Sequence, residues 1–157
     1  MVREYLEKIK ENIEVRKNLI GLKAAITDRT KKHALLYALG NELSMFYKLL
    51  EAEDPKIRKN TAQILGRIGV KESLDYLYQA YEHEDKLFVR GSYLTAMREL
   101  DYRKYLEKFK ERLEVLCSYE PKEEEKKHIS EEIKLLRELI TDMEGTKSHT
   151  FIGYDKV

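Results

Sequence analysis

The sequence predicts an all-α protein, a right-handed α-α superhelix built as a solenoid of stacked helical hairpins. Three observations predict it. Breakers are scarce, with two prolines and seven glycines in 157 residues rich in Leu, Glu, Lys and Tyr, a composition that favours helix. The chain also repeats itself. Sliding it by 32 residues sets Ile57 on Val89, Arg58 on Arg90, Ala62 on Leu94, Leu65 on Met97, Ile68 on Leu100, Leu74 on Leu106, Leu77 on Phe109 and Tyr81 on Leu113. A shortened third copy precedes these two. An offset of 31 sets Leu43, Phe46, Tyr47 and Leu50 on Leu74, Leu77, Tyr78 and Tyr81, and an offset of 29 sets Arg29, Leu35, Leu36 and Leu39 on Arg58, Ile64, Leu65 and Ile68. The difference falls in the turn, where Gly40-Asn41 replaces Gly69-Val70-Lys71-Glu72. Stacked hairpins tolerate such changes because packing constrains only the helix faces.

In chain order, residues 1–27 form N-terminal capping helices. Tyr5, Leu6, Ile9 and Ile13, then Val15, Leu19, Ile20, Leu22 and Ile26, keep helical spacing, as one long or kinked helix or as two separated near Asn12. Three hairpins follow over residues 28–120. Thr27 and Asp28 offer caps to a helix that stops at Gly40, and Asn41 caps the next. Asp54 caps a helix with Pro55 at its first position, where no amide donor is needed. Asp85 repeats the cap without the proline. Helix 102–118 carries Tyr105, Leu106, Phe109, Leu113 and Leu116 on one face. A C-terminal capping helix covers 121–145, with Ile129, Ile133, Leu136, Leu139, Ile140 and Met143 inward and Gly145 as its stop. Residues 146–157 read as an extended tail leading towards a further domain, since Thr150-Phe151-Ile152-Gly153-Tyr154 is β-prone without a partner strand in this chain.

Charge and cysteine usage narrow the function classes. Thirty basic and twenty-nine acidic residues give a net charge of +1, so a polyelectrolyte partner chosen by net charge alone is disfavoured, though a local basic face is allowed. A lone cysteine, Cys117, excludes an internal disulfide and fits a reducing, cytoplasmic setting. No apolar run reaches membrane-spanning length and no cleavable leader is visible, so no membrane role is expected.

No stretch spells out a chemistry. The four histidines, 33, 83, 128 and 149, are scattered over different elements, and no metal and no cofactor are expected. Glu124, His128 and Glu132 share a helix face but read as a solvated stripe of paired charges rather than a ligand row. Cys117 lies beside an apolar stripe and reads as a buried or half-buried thiol. No nucleophile motif and no phosphate-binding loop appear, so no catalytic residue is assigned. Arg58 and Arg90, with Arg29 as a third member, hold one repeat position and are expected to bond neighbouring turns at Asp54 or Asp85, a ladder of Asp54, Arg58, Asp85 and Arg90. Second helices of such hairpins line the concave side, making Tyr47, Lys48, Tyr76, Gln79, Lys104, Lys108 and Arg112 a candidate binding face for RNA or for a protein helix. Half-buried packing of the tyrosine rings is the competing structural account.

Asp54-Pro55-Lys56-Ile57-Arg58-Lys59, followed by Ala62-Gln63-Ile64-Leu65-Gly66-Arg67-Ile68-Gly69, resembles a HEAT repeat, and Asp85 to Leu100 resembles the next. The resemblance spans about residues 28–118 and implies a compact HEAT-like, armadillo-type scaffold without catalysis. A helical-repeat DNA-glycosylase branch exists, but its expected tryptophan and catalytic aspartate are not found here.

A second resemblance is carried by Val15-Arg16-Lys17-Asn18-Leu19-Ile20, by Leu87-Phe88-Val89-Arg90-Gly91-Ser92-Tyr93-Leu94 and by Ser148-His149-Thr150-Phe151. These look like the N-terminal accessory domain of bacterial S-adenosylmethionine-dependent RNA methyltransferases. That resemblance implies a non-catalytic module positioning RNA or the neighbouring catalytic domain. The cofactor-binding motifs of the methyltransferase itself are missing from this chain. The competing class is a protein-protein adaptor with no RNA role.

Overall fold

A computed structural model of the chain describes residues 2–26 and 43–148, the last three by backbone alone. Among these residues all regular structure is helical, with eight α-helices. The contacts divide the chain into two compact units, Met1–Asp101 and Tyr102–Val157. The division falls inside what the sequence reads as the third hairpin. Arg29 of the expected ladder, the caps at Thr27, Asp28 and Asn41, the stop at Gly40 and the tail 149–157 lie outside the described residues.

The first unit opens with α1 (Val2–Lys10) and α2 (Val15–Ala25), packed on each other. The break between them comes where the sequence weakens helix. Asn12 and Glu14 take positive φ, 61° and 38°, and the buried Asn18 side chain donates back to the carbonyls of Ile13 at 2.8 Å and Glu14 at 3.1 Å. The next described helices are α3 (Leu43–Leu49), α4 (Pro55–Ile68), α5 (Ser73–His83) and α6 (Leu87–Arg98).

Helix α4 is the centre of this unit. It packs on α2, α3 and α6, while α5 packs on α6. Ala62, Ile64, Leu65 and Ile68 are all buried, together with two polar residues that the stack must satisfy. Asn60 donates to the Lys56 carbonyl at 2.8 Å and accepts from Lys23 Nζ at 2.7 Å. Thr61 donates to the Ile57 carbonyl at 2.7 Å. Burial, then the charges of Arg67 and Lys59, push the Lys23 ammonium pKa down. The approach of α4 to α6 is close enough to require glycine. A Cβ on Gly66 would lie 2.7 Å from the Ala96 Cα.

Local signals set both ends of α4. Asp54 accepts from the Lys56 amide at 2.8 Å, Pro55 opens the helix, and Gly69 closes it at φ 73° with its amide on the Leu65 carbonyl. A left-handed residue at that position costs glycine nothing.

In the second unit a 3₁₀ turn at Arg103–Tyr105 leads into α7 (Leu106–Ser118), and another at Glu123–Glu125 leads into α8 (Lys126–Ser148). The two helices pack together. Leu106, Phe109, Leu116, Ile129, Leu136 and Leu139 are buried, and Tyr102 donates its hydroxyl to the Leu139 carbonyl at 2.6 Å. Gly145 does not stop α8, contrary to expectation. Glycine in a helix costs about 1 kcal/mol relative to alanine, too little to break a chain of backbone bonds that is already propagating.

Candidate functional site

The first unit carries a cleft of about 600 Å³, lined by Tyr47 and Leu50 of α3, the turn at Glu51 and Ala52, and Tyr76, Gln79, Ala80 and His83 of α5. The four α5 residues follow the i, i+3, i+4, i+7 pattern that places side chains on one helix face. Tyr47 and Tyr76 form its aromatic wall, with ring centroids 3.8 Å apart and planes 6° from parallel. The Tyr47 hydroxyl and the Ser73 Oγ are 3.0 Å apart. Burial raises the Tyr47 phenol pKa against the opposing effect of that hydrogen bond. Tyr76 is 50% exposed.

Arg58, Glu84 and Tyr93 make the base of the cleft. Arg58 donates through Nε to Glu84 Oε1 at 2.9 Å and through Nη2 to Oε2 at 2.7 Å. Its Nη1 reaches the carbonyls of Ala52 at 2.7 Å and Glu53 at 3.0 Å. Tyr93 donates to Glu84 Oε1 at 2.7 Å, and the Lys86 amide donates to Oε2 at 3.0 Å. The Glu84 side chain is 1% exposed and that of Arg58 14%. Both partners are thus nearly removed from water, which is tolerable because the carboxylate accepts at both oxygens and the guanidinium donates from each of its nitrogens.

The electrostatics follow from this geometry. Burial by itself would raise the Glu84 carboxyl, but the bonds from Arg58, Tyr93 and the Lys86 amide outweigh it and hold the pKa below its ordinary value. Glu84's hydrogen bond, opposed by burial, raises Arg58. Burial and then the bond to Glu84 push the Tyr93 phenol far up, so it stays a neutral donor. A carboxylate with both oxygens occupied has no capacity left to act as a base. The base of the cleft is a rigid support, and its reactive-looking groups are committed to one another.

Of the residues singled out in the sequence, Tyr47, Tyr76 and Gln79 meet in this cleft. Lys48 is exposed on α3 and does not line it. Lys104, Lys108 and Arg112 belong to the second unit. There Lys104 Nζ sits 5.4 Å from the Tyr105 ring, Lys108 is exposed, and Arg112 Nε donates to Glu132 Oε2 at 3.2 Å.

The arginine ladder takes its main partners from outside the two aspartates that the spacing suggested, and only the longer Arg58–Asp85 contact follows it. Asp54 caps its own helix and lies 3.4 Å from Arg16. Asp85, 82% exposed at its side chain, is 3.9 Å from Arg58, while Glu84 takes the two-pronged contact. Arg90 donates to the carbonyls of Tyr81 at 3.0 Å and Glu84 at 2.8 Å and lies 4.3 Å from the centre of the Tyr81 ring. Sequence reading missed Glu84, although it neighbours the aspartate chosen instead. Glu84 turns forward to the amide of Lys86, just ahead of α6, whose start has no side-chain cap.

Two further expectations are corrected. Glu132 is not part of a solvated stripe. Its side chain is 1% exposed and paired with Arg112, because this position turns towards α7. Cys117 is exposed rather than buried. It sits beside Leu116, which takes the inward place, and receives a 3.7 Å contact from Arg137 Nη2. Cys117, Tyr119, Ile133 and Arg137 border a wider depression of about 790 Å³ in the second unit. Among the described residues, no group of three His, Cys, Asp or Glu side chains could hold a metal ion. No described helix is long and apolar enough to cross a membrane.

No curated protein and no solved structure matches the chain. The family model for HEAT repeats matches residues 2–98 and, in an overlapping placement, residues 43–115. That span includes the capped and glycine-stopped helix α4, its close packing on α6, and the whole aromatic cleft. The chain belongs to the HEAT-repeat family.

Proposed function

We propose that the chain is a non-catalytic helical scaffold that docks a protein partner, taking a segment of it into the cleft walled by Tyr47 and Tyr76. One observation carries this reading: a partly exposed aromatic pair stands over a base whose polar groups are already satisfied. Tyrosines supply large contact area at little conformational cost, and a rigid base lowers the ordering that binding must bring about. HEAT repeats commonly mediate protein binding, which supports the same class. Positioning RNA for an attached methyltransferase rests on the sequence resemblance, and Arg112, one of the basic groups it would use, is engaged by a buried carboxylate.

Panning a random peptide library against the chain tests the proposal. Recovered peptides are expected to lose about tenfold or more in affinity on Tyr76→Ala, roughly 1.4 kcal/mol. Peptides indifferent to that change would move docking elsewhere. Tight, salt-sensitive binding of structured RNA, lost on Lys104→Glu with Lys108→Glu, would favour the RNA reading instead.

A further inference from the structure

We infer that the docked segment enters this cleft with an arginine side chain. The inference rests on the docking reading above and assigns the chemistry of its anchor. Among the described residues, three carboxylates line the cleft, Glu51, Glu84 and Asp85, against one guanidinium, Arg58. Glu84 and Arg58 neutralise each other at the base. Two negative charges remain, counting His83 as neutral. Glu51 is exposed with no ion pair among the described residues, and Asp85 is mostly in water at 3.9 Å from an Arg58 that Glu84 already satisfies. An anionic segment would meet these carboxylates as like charges, whereas a cationic one is drawn to them.

The wall selects among cations. Tyr47 and Tyr76 are stacked as a pair and Tyr76 is half exposed. A planar guanidinium lies flat on a tyrosine ring and still presents its N–H fork to a carboxylate, which an ammonium does less well. Gln79 adds a neutral acceptor beside the same wall. The cleft therefore joins an aromatic surface, the exposed carboxylates of Glu51 and Asp85 and an amide around a space closed below by the Arg58–Glu84 pair. Each of these suits a guanidinium, and Arg58 spends its donors mainly on Glu84 and on the Ala52 and Glu53 carbonyls.

The test uses the full chain and two capped pentapeptides, acetyl-Gly-Gly-Arg-Gly-Gly-amide and its citrulline analogue, which keeps the shape and removes the charge. Amide resonances are followed by NMR during each titration. The arginine peptide is expected to give saturable shifts centred on Tyr76, Gln79 and His83, with roughly fivefold tighter binding than the citrulline peptide. Combined Glu51→Gln and Asp85→Asn replacement should remove that preference while leaving the helical circular dichroism unchanged. Equal binding of the two peptides, shifts centred elsewhere, or no saturable shift would each overturn the inference. Library peptides that still depend on Tyr76 in that event would show that docking stands with an uncharged anchor. Loss of both results would remove the docking reading as well.

Discussion

Helices α4 and α6 are two copies of one repeat, and they use the same residue differently. Arg58 in α4 grips the buried Glu84 carboxylate with two prongs. Arg90, its counterpart in α6, instead reaches two main-chain carbonyls and covers the Tyr81 ring. Helix starts differ in the same way. Asp54 caps α4 directly, whereas α6 starts without a side-chain cap and Glu84 bonds the amide of Lys86 just ahead of it. A repeat position thus guarantees an arginine at the junction without guaranteeing its partner. The turn ahead of each helix decides that, because it supplies whatever acceptor comes within reach.

The largest effect should come from the residue that serves both copies. Glu84→Ala strips the acceptor from Arg58, Tyr93 and the Lys86 amide but leaves the Glu84 carbonyl for Arg90. It is expected to destabilise the chain by about 3–5 kcal/mol in urea unfolding, the usual cost of leaving one member of a buried ion pair alone. Glu84→Gln tests the charge itself. The Glu84 carboxyl titrates lower in the folded chain than its ordinary value of 4.5, so its contribution is complete above that value and is lost as pH falls through the folded pKa. Stability measured from neutrality down into the acid range should therefore fall less steeply below about pH 4.5 in the Gln variant. An unchanged acid slope would mean that the carboxylate is not the group whose protonation loosens this junction.

Replacing the other arginine gives a smaller loss. Arg90→Met keeps the apolar stem over the Tyr81 ring and removes charge-assisted bonds to two carbonyls. About 2–3 kcal/mol is expected in the same unfolding measurement. A loss equal to that of Glu84→Ala would erase the distinction between the two junctions.

Gly66 and Arg98 are a second matched pair, 32 residues apart in the repeat. The former faces Ala96 across a close approach of α4 to α6, and the latter is exposed. Gly66→Ala should cost about 1–3 kcal/mol of overpacking, partly offset by about 1 kcal/mol of helix propensity, leaving a modest fall in Tm. Arg98→Ala should change Tm little, within about 0.5 kcal/mol. The two caps separate by least. Asp54→Ala is expected to cost about 1 kcal/mol as a lost N-cap. Asp85→Ala should stay within about 0.5 kcal/mol, since Glu84 and not Asp85 meets the Lys86 amide. Equal losses at the two aspartates would return the cap to Asp85.

Much of the frame was legible because its causes are local. Asp54-Pro55 and Gly69 bound α4 through contacts within a few residues, and the apolar positions from Ile57 to Leu100 that were aligned by the repeat are largely buried. Of the candidate site, the aromatic members could be read from their place on the second helices. Their pairing could not. The offset of 31 set Tyr47 on Tyr78, yet the ring that stacks on Tyr47 is Tyr76, because α3 and α5 meet through faces that a repeat register does not specify.

The sequence by itself determined that this chain is all-α, that α4 runs from Asp54-Pro55 to Gly69, and most of the apolar positions that the repeated helices bury, since caps and 3.6-residue periodicity act within a turn or two of chain. Only the tertiary structure decided that Glu84 receives Arg58 from 26 residues away, that Lys23 is held by Asn60, that Gly66 must lack a side chain, and that Cys117 faces outward. Those outcomes depend on which atoms the packing of helix on helix brings within about 3 Å. That distance is fixed by the stack as a whole, and no short stretch of the chain encodes it.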